Sequence, residues 1–156
     1  GRKTMGVKGI TLSSEDDRLV GMLLIKREGT TVLVATEKGF GKRTEIAQYR
    51  TQKRGGKGVL TMKTTDKVGK MVTIKEVVDN DDLMIITNQG VLIRLPVAQI
   101  RSIGRATQGV KLIKLGEGTL VSSITRIITE ENNENEIVEV EGENETNNPK
   151  SEEATI

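Results

Sequence analysis

Two short apolar runs stand out along the chain: Thr31-Val32-Leu33-Val34-Ala35-Thr36 and Leu83-Met84-Ile85-Ile86-Thr87. Both are rich in β-branched residues and bounded by turn formers, the pattern of buried strands. Lys38-Gly39 and Gln89-Gly90 follow them and supply the glycine that a tight hairpin turn needs for a positive φ. Further apolar segments predict strands over Val7 to Leu12, Val59 to Met62, Met71 to Val78, Val110 to Leu115 and Leu120 to Ile128. No segment sustains a helical period. The expected fold class is all-β.

The same pattern repeats. Thr36-Glu37-Lys38-Gly39 returns as Thr87-Asn88-Gln89-Gly90, a shift of 51 residues. That shift also carries Arg43 onto Arg94, Ile46 onto Val97, Tyr49 onto Ile100, Arg54 onto Arg105 and Gly58 onto Gly109. Gly1-Arg2-Lys3-Thr4-Met5-Gly6-Val7 opens the chain as a copy of Gly104-Arg105-Ala106-Thr107-Gln108-Gly109-Val110. Roughly four strands per unit of this length is blade-like repetition. The expected layout is the end of one blade over 1–14, successive units over about 15–65 and 66–115, and a last strand over 116–128. Because the chain starts inside a unit, it reads as a piece of a longer array. Residues 129–156 turn to Glu and Asn with few apolar positions and are expected to be a disordered acidic tail.

Charge divides at the same place. Residues 1–128 hold 23 Lys and Arg against 12 Asp and Glu, while 129–156 hold one Lys against ten Glu. A basic body with a separate acidic tail is the layout of a polyanion binder carrying its own competitor, or simply of a solvated surface and a solubilising tail. The absence of His and Cys removes imidazole acid–base chemistry, thiol nucleophiles, disulfides and zinc sites built on those ligands. The apolar run from Val91 to Val97 is broken by Arg94 and Pro96, so no membrane span is expected, and a cytoplasmic setting fits best.

Gln52-Lys53-Arg54-Gly55-Gly56-Lys57-Gly58 sets three cations among three glycines. Glycines allow close backbone approach and expose N–H groups, and Lys and Arg neutralise phosphates. Taken alone, the heptad is either a phosphate-contacting loop or a basic surface turn. It resembles the gyrase A box, Gln-(Arg/Lys)-Arg-Gly-Gly-(Arg/Lys)-Gly, of the C-terminal domain of DNA gyrase A subunits. The Thr-x-x-Gly-x-x-x-Arg and Gly-Arg-x-Thr-x-Gly-Val pieces around it are similar to that domain's blades, so the resemblance covers residues 1–128. It implies a β-pinwheel (propeller-like) whose basic rim wraps duplex DNA in support of negative supercoiling. It also implies as partners the gyrase B subunit, together with the rest of the gyrase A subunit, in a nucleoid-associated type II topoisomerase. ATP and Mg belong to other domains of that enzyme, and no cofactor, catalytic residue or small-molecule substrate is expected here. In one respect the chain departs from the family: the box normally sits in the first blade, and here one complete repeat follows it.

The remaining cations extend the expected rim. Lys42 and Arg43 follow the hairpin turn, Arg94 repeats Arg43, and Arg50 precedes the box. Arg2, Arg54 and Arg105 are equivalent by repeat, as are Lys8 and Lys111. An array sets equivalent residues on one continuous surface. Lys63, Lys67, Lys70 and Lys75 lack repeat partners and read as scattered solubilising charge.

Three near-motifs fail. Gly104 to Lys111 resembles an NTPase phosphate loop, but Val110 separates the second Gly from the Lys. Asp79-Asn80-Asp81-Asp82 lacks the closing Glu of a calcium loop and reads as a turn. Tyr49 has Ile100 as its repeat partner, which predicts inward packing. Three functions remain: duplex-DNA wrapping, in gyrase or its relative topoisomerase IV; single-strand or RNA binding; and a propeller-like protein-interaction scaffold. One Phe and one Tyr give single-stranded bases little to stack on. A scaffold has no use for eleven excess positive charges. Duplex wrapping needs backbone contacts only.

Overall fold

The computed structural model describes residues 4–128, which form two antiparallel sheets. The first contains β1 (Thr31–Thr36), β2 (Phe40–Glu45), β3 (Met71–Val77) and β6 (Val110–Lys111), in the order β3-β1-β2-β6. The second contains β4 (Asp82–Thr87), β5 (Leu92–Pro96) and β7 (Val121–Ile127), in the order β5-β4-β7. The predicted hairpins are β1–β2 and β4–β5, paired Val32 to Thr44 and Leu83 to Leu95. Short 3-10 turns at Ile46–Gln48 and Val97–Gln99 follow β2 and β5 at the 51-residue shift. A register shift interrupts β1 between Ala35 and Thr36, and β4 between Ile86 and Thr87, at the same point of each repeat.

The sheets do not respect the repeat boundaries read from the sequence. β3, from the 66–115 stretch, completes the sheet of β1 and β2, and β6 is delivered from the far end of that stretch. Residues 7–12 and 59–62 are not strands, and only Val110 and Lys111 of the 110–115 segment pair. Val110 pairs with Gly41 of β2, whereas 59–62 has no ladder partner among the described residues. Without a ladder partner, an apolar run keeps an extended backbone but no sheet. The expected acidic tail, 129–156, lies outside the described residues.

The core forms where the sheets face each other. Leu33, Ala35 and Val77 meet Leu83, Ile85, Val121 and Ile124, with Val97, Ile100 and Ile113 closing the layer. The other face of the first sheet packs Val32 and Val34 on Met62, with Leu23, Phe40, Tyr49 and Ile74 around them. β1 is buried along its whole length because both its faces are covered, which explains its continuous apolar run rather than an alternation. Between the sheets, β3 comes against β7. On the opposite side, β2 with β6 forms the outer margin of the first sheet.

The acidic turn joining β3 to β4 holds three arginines. Asp81 takes Arg27 through two hydrogen bonds of 2.9 and 2.6 Å. Asp79 pairs with Arg43, and Asp82 with Arg94 at 2.6 Å. Glu76, almost fully buried beside them, accepts the backbone N–H groups of Arg27 and Lys26 and the Thr30 hydroxyl, and it faces Arg126. These donors hold the Glu76 carboxyl down at about 2, the Arg27 and Lys26 amides first among them. Asp81 is also lowered, because the Arg27 hydrogen bonds and the Val78 amide outweigh the opposing effect of its burial.

Lys42 is fully buried. Its ammonium donates to the Gly104 carbonyl at 2.6 Å, to the Arg105 carbonyl, and to Thr107 Oγ1 at 3.2 Å. Burial, and secondarily Arg105, bring it down to about 8, so it is still mainly protonated at neutral pH. Lys42 therefore clamps the 104–107 loop of the next unit onto β2.

Glu76 is depressed in the folded chain, so its contribution is complete above the unfolded value near 4.5 and is lost as pH falls toward 2. Chemical denaturation of Glu76→Gln should show stability about 2 kcal/mol lower at pH 7 and a shallower loss between pH 5 and 2. Lys42→Met should cost about 1–3 kcal/mol by urea unfolding, because two carbonyls lose their donor. Lys57→Met, at an exposed position, should stay within about 0.5 kcal/mol of wild type.

Candidate nucleic-acid interface

Two loops, 52–58 and 104–109, occupy equivalent places in the repeat. The second, 104–109, is the easier to follow. Residues 101–103 run along β2, with the Arg43 amide on the Arg101 carbonyl (3.4 Å) and the Ile103 amide on the Arg43 carbonyl (2.9 Å). The chain then leaves β2 and returns at Val110 opposite Gly41. The return needs glycine at 109. Its φ is +77°, and a Cβ there would sit 2.6 Å from the Gly41 oxygen. The counterparts Gly6 and Gly58 also have positive φ, +82° and +81°. The Arg-x-x-x-Gly-Val signature is therefore a backbone signature.

The box loop, 52–58, is held by the unit before it, and the second loop is held in turn by the box unit. The Thr11 amide donates to the Gly56 carbonyl at 2.9 Å, and the Lys63 amide to the Thr107 carbonyl at 2.9 Å. These bonds occupy the same places in consecutive repeats. The Gly55 amide adds a bond to the Gly9 carbonyl at 2.8 Å. Extended segments without ladder partners are thus the backing of the rim loops.

The side chains sort into two groups. Lys53, Arg54 and Lys57 are exposed on the box loop, with Arg50 just before it. Among the described residues none of the four forms an ion pair. Gln52 is also exposed, its amide on the Thr51 carbonyl at 3.2 Å. Lys8 joins this group: its carbonyl lies 3.7 Å from where a Cβ on Gly55 would begin. On the second loop, Arg105 occupies the Arg54 position but is half-buried, its guanidinium 5.8 Å above the Tyr49 ring and its Nη1 on the Leu60 carbonyl at 3.0 Å. Lys111 follows, exposed, 5.5 Å from the Phe40 ring.

Lys42 and Arg43 do not join the rim. Lys42 points inward to the 104–107 loop, and Arg43, 8 % exposed, spends its Nε on the Ile100 carbonyl at 2.8 Å and its Nη1 on Asp79. Arg94, its repeat partner, is exposed but neutralised by Asp82. The expectation that Lys42 and Arg43 line the cationic track is corrected: a buried cation needs acceptors, and the 104–107 loop, the Ile100 carbonyl and Asp79 supply them. Arg2 lies outside the described residues. Sequence reasoning passed over Lys63, whose amide holds the second loop. The signal was its place at the repeat position of Thr11. Tyr49 packs inward as its Ile100 counterpart predicts, its hydroxyl on Thr61.

Among the described residues no group of acidic side chains could hold a metal ion, and no helix is long and apolar enough to cross a membrane. The chemistry on offer is that of exposed cations on glycine-bearing loops: capture of a polyanion.

Comparison with known proteins points to one family. The family model of the DNA gyrase C-terminal domain, a β-propeller, matches residues 1–26, 30–77 and 81–127. The DNA gyrase A subunit of Staphylococcus epidermidis is 47% identical over 134 residues, covering 85% of this chain and 15% of that protein. The DNA gyrase A subunit of Staphylococcus aureus strain NCTC 8325 is 47% identical over 140 residues, covering 87% of this chain and 16% of that protein. The chain thus spans about 15% of the length of such relatives. Two solved structures share the fold. The C-terminal domain of DNA topoisomerase IV matches with a TM-score of 0.70 at 23% identity, over 79% of this chain and 38% of that one. The DNA gyrase A C-terminal domain matches with a TM-score of 0.59 at 22% identity, over 63% and 33%. With three matched segments that together cover most of its length, the chain belongs to the DNA gyrase C-terminal domain family, the β-pinwheel form of the propeller.

Proposed function

We propose that the outer rim of this chain binds duplex DNA without regard to sequence and bends it, within the C-terminal domain of a gyrase A protein. The observation that carries the reading is the box loop: Lys53, Arg54 and Lys57 stand exposed, without acidic partners among the described residues, on a loop held by backbone hydrogen bonds. Lys8 beside it, and Arg105 and Lys111 one repeat on, bring the set to six cations. Smoothly bending 20–30 base pairs costs on the order of 1–6 kcal/mol, which phosphate contacts and counterion release must offset. A rigid loop suits this task, because its cations are already placed when the duplex arrives. The set holds no aromatic platform for unstacked bases, which disfavours a single-stranded ligand. In the full-length protein, such wrapping would feed supercoiling powered by ATP and Mg in other domains, together with the gyrase B subunit.

Neutralising about six phosphates gives a slope of log K against log salt near −5. Anisotropy titrations with unrelated duplexes should return that slope and similar affinities; salt-independent binding would defeat the reading. Changing Lys53, Arg54 and Lys57 together to Ala should make the slope shallower by about 2.5 and remove the topological footprint on circular DNA. An unchanged footprint would count against the box as the wrapping element.

A further inference from the structure

Beside the rim, the β1–β2 hairpin turn and the 115–120 turn enclose a cavity of about 360 Å³. Lys38, Lys67 and Lys111 line it, with Phe40, Leu115 and Leu120 as an apolar wall. No carboxylate is among its lining residues. Other cavities carry charges of both signs: Asp16 and Asp17 stand with Arg18 and Lys70 in one, Glu37 and Asp66 with Lys38 and Lys70 in another, and Glu76 with Lys75 and Arg126 in a third. The Lys38 ammonium is fixed on the Asp66 carbonyl, and Lys111 stands over the Phe40 ring at 5.5 Å. Charged side chains in this lining are thus of one sign, and an anion between them would offset that charge against the apolar wall. Lys111 also belongs to β6, which continues directly from the 104–109 rim loop.

We propose that this cavity is a second DNA-backbone site, taking a phosphodiester between Lys38, Lys67 and Lys111 with the apolar face of the deoxyribose against Phe40, Leu115 and Leu120. A strand crossing the second rim loop passes Lys111 and runs on over the hairpin end of the first sheet. The DNA track then turns from the margin onto one face of the domain, and Lys38 and Lys67 become contact residues. The site rests on the DNA-binding reading above and extends its path.

The test uses the whole chain and duplex DNA across a salt series, comparing K38Q/K67Q with K26Q/K75Q, which removes the same charge beside the Glu76 network instead. K38Q/K67Q should make the salt slope shallower by about 1 to 2, uniformly across duplex sequences, and K26Q/K75Q should change it less. Equal slopes for the two variants overturn the site. So does Lys38- and Lys67-dependent binding of inorganic phosphate with the DNA slope unchanged, which would make it a free-anion pocket. A gain of DNA affinity in K38Q/K67Q that disappears when residues 129–156 are removed would identify the chain's own glutamates as the occupant, and also overturn it. If the box variant loses binding while K38Q/K67Q behaves as wild type, this inference alone fails. Salt-independent binding by the wild-type chain defeats the underlying reading instead.

Discussion

The edge of β2 is the interaction on which the rest of this structure depends. A strand edge carries unpaired N–H and C=O groups that must be satisfied or left to water. Here the following repeat satisfies them twice, first with residues 101–103 and then with β6. The chain has to leave the edge between those two contacts, and the excursion is the rim loop. One requirement of backbone hydrogen bonding therefore joins the units, spaces them, and projects an Arg-bearing loop at the margin. Lys42 reinforces the arrangement by capping the loop's own carbonyls from inside the sheet.

That arrangement divides the cations by environment. Arg27, Arg43 and Arg94 are tied to the acidic turn Asp79–Asp82, and Arg126 to Glu76. Where one partner is buried, as Asp81, Glu76 and Arg43 are, removing the other strands a charge, so these pairs are bound to the fold. The box cations face the opposite situation. They are exposed and unpaired among the described residues, on a loop whose backbone is already fixed. An excess of positive charge counted over the chain mixes the two classes, and only the second attracts a polyanion.

The same edge logic accounts for the apolar segments that did not become strands. Residues 7–12 and 59–62 have strand-like sequences, and they support the rim loops from below, through Thr11 and the Leu60 carbonyl. β5, the counterpart of β2, has no fourth strand among the described residues, and its Leu92 is 60 % exposed. A repeat array is stabilised by such shared edges, each unit being incomplete alone.

The 51-residue repeat, the hairpins at Gly39 and Gly90 and the Gly-Val returns were legible from the sequence, because backbone conformation restricts residue type locally: a positive φ selects glycine wherever the turn recurs. The box was legible for the same reason, since glycines and cations at fixed spacing are a local pattern. Which cations face outward was not. Arg43 and Arg54 look alike in sequence, yet one is enclosed between Ile100 and Asp79 and the other stands free. Strand exchange between repeats was equally hidden, as was the role of Asp79–Asp82. Burial and charge pairing depend on segments 36 to 65 residues apart in the chain, as between Asp79 and Arg43 or Lys42 and Thr107, and only the folded arrangement brings those segments together.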